Sequence, residues 1–462
     1  MENSENGEIV LHDKKEIRRE IFRIVGPVFI ELLMSSLFGM IDMMMLGRSG
    51  DNATTAASIA AVGITNQFSL LGLSLVQALN VGATAMVARY IGAKRKDRIE
   101  PVVKHIILLS QIFLVIPMLI IGFGFTNSVM GFIGAQADTV AIGGNYFRII
   151  VFGIIFQALN FAIVASLRGS GDTRTPMKIN LAANLFNVFG NAILIYGLLG
   201  APALGVTGAA ISTVASQIIA SFLLLRYVLR KGSTVHINLK NKFKFDKDII
   251  YNLIKIGVPA SLEQMALRIG VLIFVKIVSS LGTVAYATHQ ICLNILSLSF
   301  TTGQAFGIAA STLCGRSLGS DEPDLAEEYI KDCRKIGCAI ASGVGLLFFF
   351  FGSFVAGLYT NNSEVVANAA GVLKIIGIIQ PFQSSQLVIS GGLRGAGDTV
   401  WTLVATFVGI FVFRVILSYY FVLIAGMGLI GAWVAVGIDQ FMRWFFIKIR
   451  FKTNKWKEVK LR

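Results

Sequence analysis

Long apolar runs alternate with short polar segments along almost the whole chain. About twelve of these runs approach or exceed 20 residues, the length that a helix needs to cross the hydrocarbon core of a bilayer. The pattern therefore predicts an all-α polytopic membrane protein with twelve transmembrane helices. The predicted spans are 23–46, 57–88, 105–125, 140–166, 177–199, 204–229, 250–280, 284–312, 336–358, 365–391, 400–424 and 428–449.

Several motifs occur twice, in the same order. LRGSGDT begins at Leu167 and LRGAGDT begins at Leu393, 226 positions later. Other matched positions are Pro27 and Pro259, Gln77 and Gln304, Arg89 and Arg316, and Gly92 and Gly319. With LGVTGAA from Leu204 matching MGLIGAW from Met427, the offsets drift only from 232 to 223, which indicates two homologous halves of six helices each.

The duplication predicts two pseudo-symmetric six-helix bundles. We expect an N-lobe over residues 1–235 with helices 1–6, and a C-lobe over 236–462 with helices 7–12 and a basic tail. Because six is even, both lobes have the same orientation in the membrane. Such a pair of bundles is the usual construction of an alternating-access carrier, which binds its substrate near the midplane.

The repeated LRG(S/A)GDT segment is expected to form the turn between the fourth and fifth helices of each half. Its glycines permit a tight turn, and its Asp-Thr pair is expected to cap the next helix. The segment is not a nucleotide-binding loop, because no strand precedes it and no Gly-Lys-Ser/Thr follows.

Charge is sparse and lies mostly on one side of the predicted helices. Only 15% of the residues are charged, 55% are hydrophobic, and the mean hydropathy is +0.71. The net charge of +15 comes from the amino-terminal segment, alternate loops and the tail, whereas the opposite short loops carry essentially Arg48 alone. This bias predicts a multi-pass protein of the cell membrane with both termini in the cytoplasm. The basic residues therefore set topology, and no nucleic-acid partner is expected.

Catalytic constellations are not visible in the sequence. The chain has four histidines, and they form no cluster with carboxylates or cysteines. The four cysteines lack metal-ligand spacing and are expected to be free thiols. The sequence therefore predicts a carrier and not an enzyme.

Several segments together resemble the multidrug and toxic-compound extrusion (MATE) transporters, in particular the bacterial branch related to DNA-damage-inducible MATE proteins. The segments are IDMMMLGRSG, the two LRGxGDT turns, NVFGNAILIYG, GVTGAAIST and YATHQI, and the resemblance extends from about residue 15 to 450. It implies a V-shaped carrier of twelve helices that expels organic cations in exchange for inward Na⁺ or H⁺.

Asp42 is the leading candidate for ion coupling. Ionisable groups inside a bilayer are costly and are functional candidates by default, and no base lies three or four positions from Asp42. The resemblance places Asn187, Asn191 and Thr213 beside it as candidate Na⁺ ligands, with Asn191 where the family carries an aspartate. One carboxylate with neutral oxygens suits one monovalent cation or one proton. Interhelical hydrogen bonding without an ion is the alternative for the two asparagines.

Glu31 and its repeat mate Glu263 are candidates for gating or substrate capture. Glu31 lies eleven residues before Asp42, a rotation of about 20° beyond three turns, so both acids share a helix face about 16 Å apart. The two glutamates are expected to pair with bases at the inner mouth, and Arg268 is the candidate partner of Glu263.

Other polar residues in the predicted spans receive weaker assignments. Gln383 and Leu267 stand where some family members carry acids, so a second acidic coupling site is not expected, although Gln383 and His289 stay candidates for gating or substrate capture. His289 is alternatively a structural histidine. Asp439 and Arg443 are four residues apart and are expected to pair.

The predicted function is a secondary antiporter that exports small organic cations in exchange for Na⁺ or H⁺, with no cofactor beyond that ion. Membrane lipid is the other expected partner, and a monomer is expected. The alternatives are a lipid-linked oligosaccharide flippase of the same superfamily and a non-transporting membrane sensor.

Overall fold

The computed structural model describes residues 13–47, 52–238 and 240–461. Arg48, the base predicted on the side opposite the termini, lies outside these residues. Twelve long helices, α1 to α12, follow one another along the described chain. They are Lys14–Leu46, Asn52–Gly92, Lys96–Gly124, Ala137–Gly169, Arg174–Tyr196, Gly205–Leu229, Lys247–Ser279, Thr283–Gly319, Pro323–Gly357, Ser363–Ala396, Thr399–Ile424 and Gly428–Lys452.

Eleven of these helices are long and apolar enough to cross a membrane, within the part of the chain that the structure describes. The remaining helix, α7, has 33 residues, but its apolar sequence is interrupted by Lys255, Glu263, Arg268 and Lys276. α7 must nevertheless cross, since α6 ends and α8 begins on opposite sides of the bundle. The prediction of twelve spans in two bundles is therefore confirmed.

The helices extend beyond the predicted spans, mainly on the side that carries both termini, here called the terminal side. α9 begins at Pro323, thirteen residues before its predicted span at 336. On the opposite, far side, a short helix over Thr126–Ile133 occupies a segment predicted as a loop. Composition marks the part of a helix that lies in hydrocarbon, and it does not mark where the backbone hydrogen bonds stop.

The N-lobe (α1–α6) and the C-lobe (α7–α12) share their apolar cores on the terminal side. The first half of α1, from Ile17 to Val28, packs in one cluster with residues 305–456 of the C-lobe. Ile249 and Leu253 of α7 reciprocally pack in a cluster of the N-lobe. The clusters of the far half each belong to one lobe. The lobes therefore join on the terminal side and separate toward the far side.

The ends of α2 and α8 meet at the pseudo-two-fold axis. A Cβ atom on Gly92 would lie 1.9 Å from the carbonyl oxygen of Arg316, and one on Gly319 would lie 2.1 Å from that of Arg89. These four residues are the repeat mates identified in the sequence. Glycine is required at both positions because the two backbones touch.

The arginines at this junction bind across it in different ways. Arg316 donates to both carboxylate oxygens of Glu20 in α1, at 2.8 Å each. Arg89 instead donates to the carbonyl oxygen of Val459 at 2.7 Å. Val459 belongs to the tail that follows α12, and the preceding Trp456 is fully buried in the C-lobe cluster. The tail therefore supplies the N-lobe arginine with a partner.

Both LRG(S/A)GDT segments form the predicted turns. Gly171 and Gly397 each have φ of +87°, a left-handed conformation that favours glycine. In the first copy Asp172 accepts the backbone N–H of Thr175 at 3.1 Å and so bonds the first turn of α5, whereas the side chain of the N-cap residue, Thr173, makes no capping hydrogen bond. The capping prediction is wrong for the second copy, where Asp398 makes no capping hydrogen bond and pairs with Arg450 at 2.7 Å.

Close packing between α8 and α10 provides a test of this fold. A Cβ on Gly391 would lie 2.1 Å from the carbonyl oxygen of Gly307, so we expect Gly391→Ala to force the helices apart. The expected loss is about 1–3 kcal/mol, visible as a lower midpoint of thermal unfolding in detergent. Gly343→Ala is the matched control, because a Cβ there meets nothing within 4 Å. Equal midpoints for the two variants would contradict the packing described.

Candidate ion-coupling site

Four asparagines of α5 line the face that meets α1. Their spacings of four, three and four residues place them on one helical stripe. Three of the contacts to α1 have the same sequence separation of 149, which shows that the helices run in parallel and in register. The contacting pairs are Asn180 with Glu31 at 2.6 Å, Asn184 with Ser35 at 3.4 Å, and Asn191 with Asp42 at 2.8 Å.

Asp42 lies half-buried at the far end of this stripe. Its Oδ1 accepts the hydrogen bond from Asn191, whose own side chain is buried. Within the described part of the chain, no Lys or Arg lies within ion-pair distance of Asp42. The carboxylate is therefore held by amides alone, which stabilise its negative charge without neutralising it.

Asn187 connects Asp42 to α6, and the orientation of its amide decides how. With the nitrogen toward Asp42, it donates to Oδ2 at 3.0 Å and to Oδ1 at 3.2 Å, and its oxygen accepts from the backbone N–H of Thr213 at 3.2 Å. With the nitrogen toward α6, it donates to the Thr213 hydroxyl at 3.3 Å, and its oxygen faces the carboxylate. The first orientation satisfies a charged Asp42, since amide orientations follow the hydrogen-bond network.

The second orientation suits a positive charge between the two groups. It places an amide oxygen against the carboxylate, where a proton on Asp42 or a small cation relieves the repulsion. The Oδ1 atom of Asn191 is buried and makes no hydrogen bond within the described chain, which supplies a further oxygen. Hard monovalent cations take oxygen ligands. Asp42, Asn187, Asn191 and Thr213 thus fit one proton or one Na⁺.

Glu31 and Glu263 each bind the arginine of an LRG(S/A)GDT turn. Glu31 pairs with Arg168 at 2.9 Å, and Glu263 pairs with Arg394 at 2.6 Å. The prediction that Arg268 is the partner of Glu263 is therefore wrong. Arg268 follows Glu263 by five residues in the same helix, so it points about 140° away from it, whereas the turn brings Arg394 in from α10.

The C-lobe pair is the more fully bonded of the two. Glu263 also accepts from the hydroxyl groups of Thr402 at 2.9 Å and Thr406 at 3.1 Å. Both threonines lie on α11, the repeat counterpart of α5. In the N-lobe, the asparagines of α5 continue past Glu31 to a second carboxylate, Asp42. In the C-lobe, the two threonines of α11 bind Glu263 alone.

The other candidates lie apart from Asp42. His289 is fully buried between the rings of Phe274 and Trp433, with both ring centroids 5.5 Å away. Gln383 is buried in α10, and its Oε1 makes no hydrogen bond within the described residues. Neither side chain is brought to the Asp42 site.

Asp439 forms the predicted pair with Arg443 at 2.9 Å and also binds Arg414 of α11 at 2.6 Å. Sequence spacing revealed the intrahelical partner but could not reveal the second, which comes from the preceding helix. The repeat mate of Asp42 is Phe274, over which the Arg414 guanidinium lies 5.9 Å from the ring centroid. The two lobes therefore differ at this height, with an acid bound by amides in the N-lobe and an arginine bound to Asp439 in the C-lobe.

The methionines around Asp42 border a small apolar cavity. A space of about 200 Å³ is lined by Ile41, Met44, Met45 and Tyr196. Two of its lining residues are joined, because the Tyr196 hydroxyl donates to the carbonyl oxygen of Met45 at 2.7 Å. Thioether side chains adapt to irregular ligands, and this cavity lies beside the far end of the α1–α5 contact.

The sequence analysis missed Asn180, Arg168 and Arg394. The spacing of the α5 asparagines could have revealed Asn180, because it is seven residues before Asn187 and so shares its face. The two arginines carried a usable signal as well, since each repeats together with a glutamate in the first helix of its half.

The partner of Glu263 can be tested by stability measurements. Arg394→Ala leaves a buried carboxylate without its base, and we expect it to lower the free energy of unfolding by about 3 kcal/mol. Arg268→Ala removes an exposed side chain and should change it by less than about 0.5 kcal/mol. Thermal unfolding of both variants in detergent distinguishes the two arginines, and a larger loss for Arg268→Ala would reverse the assignment.

Almost the whole chain is similar to proteins named as transporters or multidrug resistance proteins. The uncharacterized transporter YisQ of Bacillus subtilis is 26% identical over 437 residues, which is 94% of each chain. The probable multidrug resistance protein NorM of Thermotoga maritima is 28% identical over 451 residues, covering 96% of this chain and 94% of that protein. The multidrug resistance protein NorM of Vibrio cholerae is 28% identical over 406 residues, 87% of each chain.

The fold agrees with that of solved transporters. A structure described as the outward-facing conformation of a multidrug resistance MATE family transporter of the MOP superfamily matches with a TM-score of 0.86 at 22% identity, covering 95% of this chain and 97% of that one. The MatE family profile matches residues 27–193 and 259–420, one segment in each lobe. Since these segments make up most of the chain, the protein belongs to the MatE family and is a multi-pass membrane transporter, not an enzyme.

Proposed function

We propose that this MatE transporter is a multidrug efflux antiporter of the cell membrane, which exports organic cations in exchange for inward H⁺ or Na⁺. The multidrug resistance names of the NorM relatives support drug efflux. The observation that carries the antiport mechanism is the environment of Asp42, a carboxylate inside a membrane-spanning helix. Amides bind this carboxylate, and among the described residues no basic side chain pairs with it.

The terminal side is proposed to face the cytoplasm. The basic segments of the chain lie on that side, in agreement with the positive-inside rule. The lobes join there and separate toward the far side. The described arrangement then corresponds to an outward-facing carrier whose site is reached from outside the cell.

The ion and the drug compete for one negative charge. When Asp42 is charged, the Asn187 nitrogen faces it, and the site attracts an organic cation. An incoming H⁺ or Na⁺ neutralises the carboxylate, and the Asn187 amide turns its oxygen inward to meet the new positive charge. The attraction for the drug is then lost, and the drug is released outward.

The same step changes how α1 is held. Asp42, Ser35 and Glu31 attach α1 to α5 at three successive heights, so the far attachment weakens when Asp42 is neutralised. α1 also packs on the C-lobe through its first half. A change at Asp42 therefore reaches the interface between the lobes, and the ion gradient drives the rocking without a nucleotide.

Neutralising Asp42 permanently should uncouple the exchange. We expect Asp42→Asn to abolish efflux of a fluorescent organic cation from vesicles with an imposed pH or Na⁺ gradient, because the ion has no charge to neutralise. Binding of the cation to the wild type should weaken as the pH falls, and binding to Asp42→Asn should be weak at every pH.

The matched control is Asp97→Asn, which changes an acid at the terminal-side end of α3. Its side chain is 69% exposed. It should transport like the wild type. Gradient-driven efflux that persists undiminished in Asp42→Asn would refute the role of this carboxylate. Running pH-only and Na⁺-only gradients on the wild type identifies the ion.

A second carboxylate at position 191 should favour Na⁺. We expect Asn191→Asp to lower the Na⁺ concentration at half-maximal efflux by about tenfold, because the affinity of an oxygen site rises with its ligand charge. Asn184→Asp, seven residues away on the same face, adds the same charge outside the site and should leave that concentration unchanged. A similar shift in both variants would mean that the effect is not local.

A further inference from the structure

Arg268 of α7 is a cation that lies deep in a membrane-spanning helix and is exposed. Eleven residues separate it from Ser279 at the far end of α7, a rise of about 16 Å. An arginine side chain cannot cover that distance to reach the far interface. The hydrogen bonds and ion pairs of the described chain do not involve Arg268. An unpaired guanidinium at this depth is costly in lipid, so such groups face a water-filled cavity.

The face of α7 that carries Arg268 is the one that looks toward the N-lobe. Gly257 packs on α2, where a Cβ would lie 3.1 Å from the Cα of Leu79. Arg268 follows Gly257 by eleven residues, which is about 20° beyond three turns. It therefore lies above the contact, on the same face, in the half where the lobes have separated. Arg268 therefore lies on the C-lobe wall of the cleft between the separated far halves of the two lobes.

α8 carries a polar stripe in the same half of the C-lobe. Tyr286, Gln290, Asn294 and Ser297 follow one another at spacings of four, four and three residues, and three of them are exposed. Gln290 donates to the hydroxyl of Tyr286 at 2.9 Å. Exposed amides and hydroxyls at helical spacing inside a span indicate a surface in contact with water. The stripe supports a hydrated wall beside α7.

The two lobes therefore present opposite charges at different depths. The repeat aligns Arg268 with Ser36 of α1, six residues before Asp42, which corresponds to about 9 Å along the helix. Ser36 is neutral, so the cation belongs to the C-lobe alone. We infer that Arg268 binds the carboxylate of zwitterionic organic substrates whose cationic group is attracted to Asp42. This inference rests on the proposed drug efflux and assigns it a specificity-determining residue.

A matched pair of substrates tests this role. The probes are a zwitterionic fluoroquinolone and its methyl ester, which keeps the ring system and the amine and lacks the carboxylate. Efflux of each is followed by fluorescence in vesicles that contain the wild type, Arg268→Gln, Arg268→Lys or Lys276→Gln. Lys276 is an exposed base nearer the far end of α7 and serves as the control.

We expect Arg268→Gln to raise KM for the zwitterion about tenfold or more, since hydrogen bonds to a charged group are among the stronger ones, and to leave KM for the ester unchanged. Arg268→Lys should recover part of the loss, and Lys276→Gln should match the wild type with both substrates. The unchanged ester transport also shows that Arg268→Gln folds.

Two other results would overturn the inference. Equal effects of Arg268→Gln on zwitterion and ester would assign Arg268 a structural role. Transport of the ester and not of the zwitterion by the wild type would exclude carboxylate recognition while leaving the proposed efflux intact. Transport of neither compound, nor of a simple organic cation, would instead refute the proposed function itself.

Discussion

A carboxylate in the hydrocarbon core must be paired, protonated or solvated, and this constraint organises both lobes. Glu31, Glu263 and Asp439 each meet the constraint with an arginine. Each of these pairs connects two different helices, and together they fix the positions of α1, α7 and α12. Asp42 meets it with amides, which accept either a charged or a neutral carboxylate. The contrast separates acids that hold the structure from the acid that can change state.

Duplication explains the framework, and divergence explains the chemistry. Each half anchors the glutamate of its first helix to the arginine of its LRG(S/A)GDT turn, so the ancestral unit already contained this pair. The polar residues farther along the helices than these glutamate–arginine pairs differ between the two lobes. The N-lobe continues with asparagines to Asp42, whereas the C-lobe places Phe274 and Arg414 at the matching height. The two lobes thus share one scaffold and differ in the polar groups that it carries beyond the anchor.

The sequence was sufficient for the number of helices, the two lobes and the glycine turns, because all three depend on local composition and on repetition. It also placed Glu31 and Asp42 on one face of α1, since helical geometry alone determines that. It failed for Glu263, where the nearest base in sequence was Arg268. The true partner is 131 residues away, and the distance in space between such residues depends on the packing of three helices.

The orientation of side chains within a site was also beyond the sequence. Composition could name Asn187, but its two amide orientations depend on the positions of Asp42 and Thr213 relative to α5. The exposure of Arg268 depends on which face of α7 remains uncovered when the lobes join on the terminal side only. Both features come from the relative placement of helices, and they are the features on which the proposed chemistry depends.

The tail after α12 bridges the two lobes. Trp456 anchors it in the C-lobe, whereas Val459 and Leu461 contact the N-lobe. A rearrangement that opens the terminal side has to detach the tail from one lobe or carry it along. A reporter protein fused immediately after Leu461 would therefore be attached to the seam between the lobes, and its bulk would bias the resting conformation from the side of the bundle opposite to Asp42.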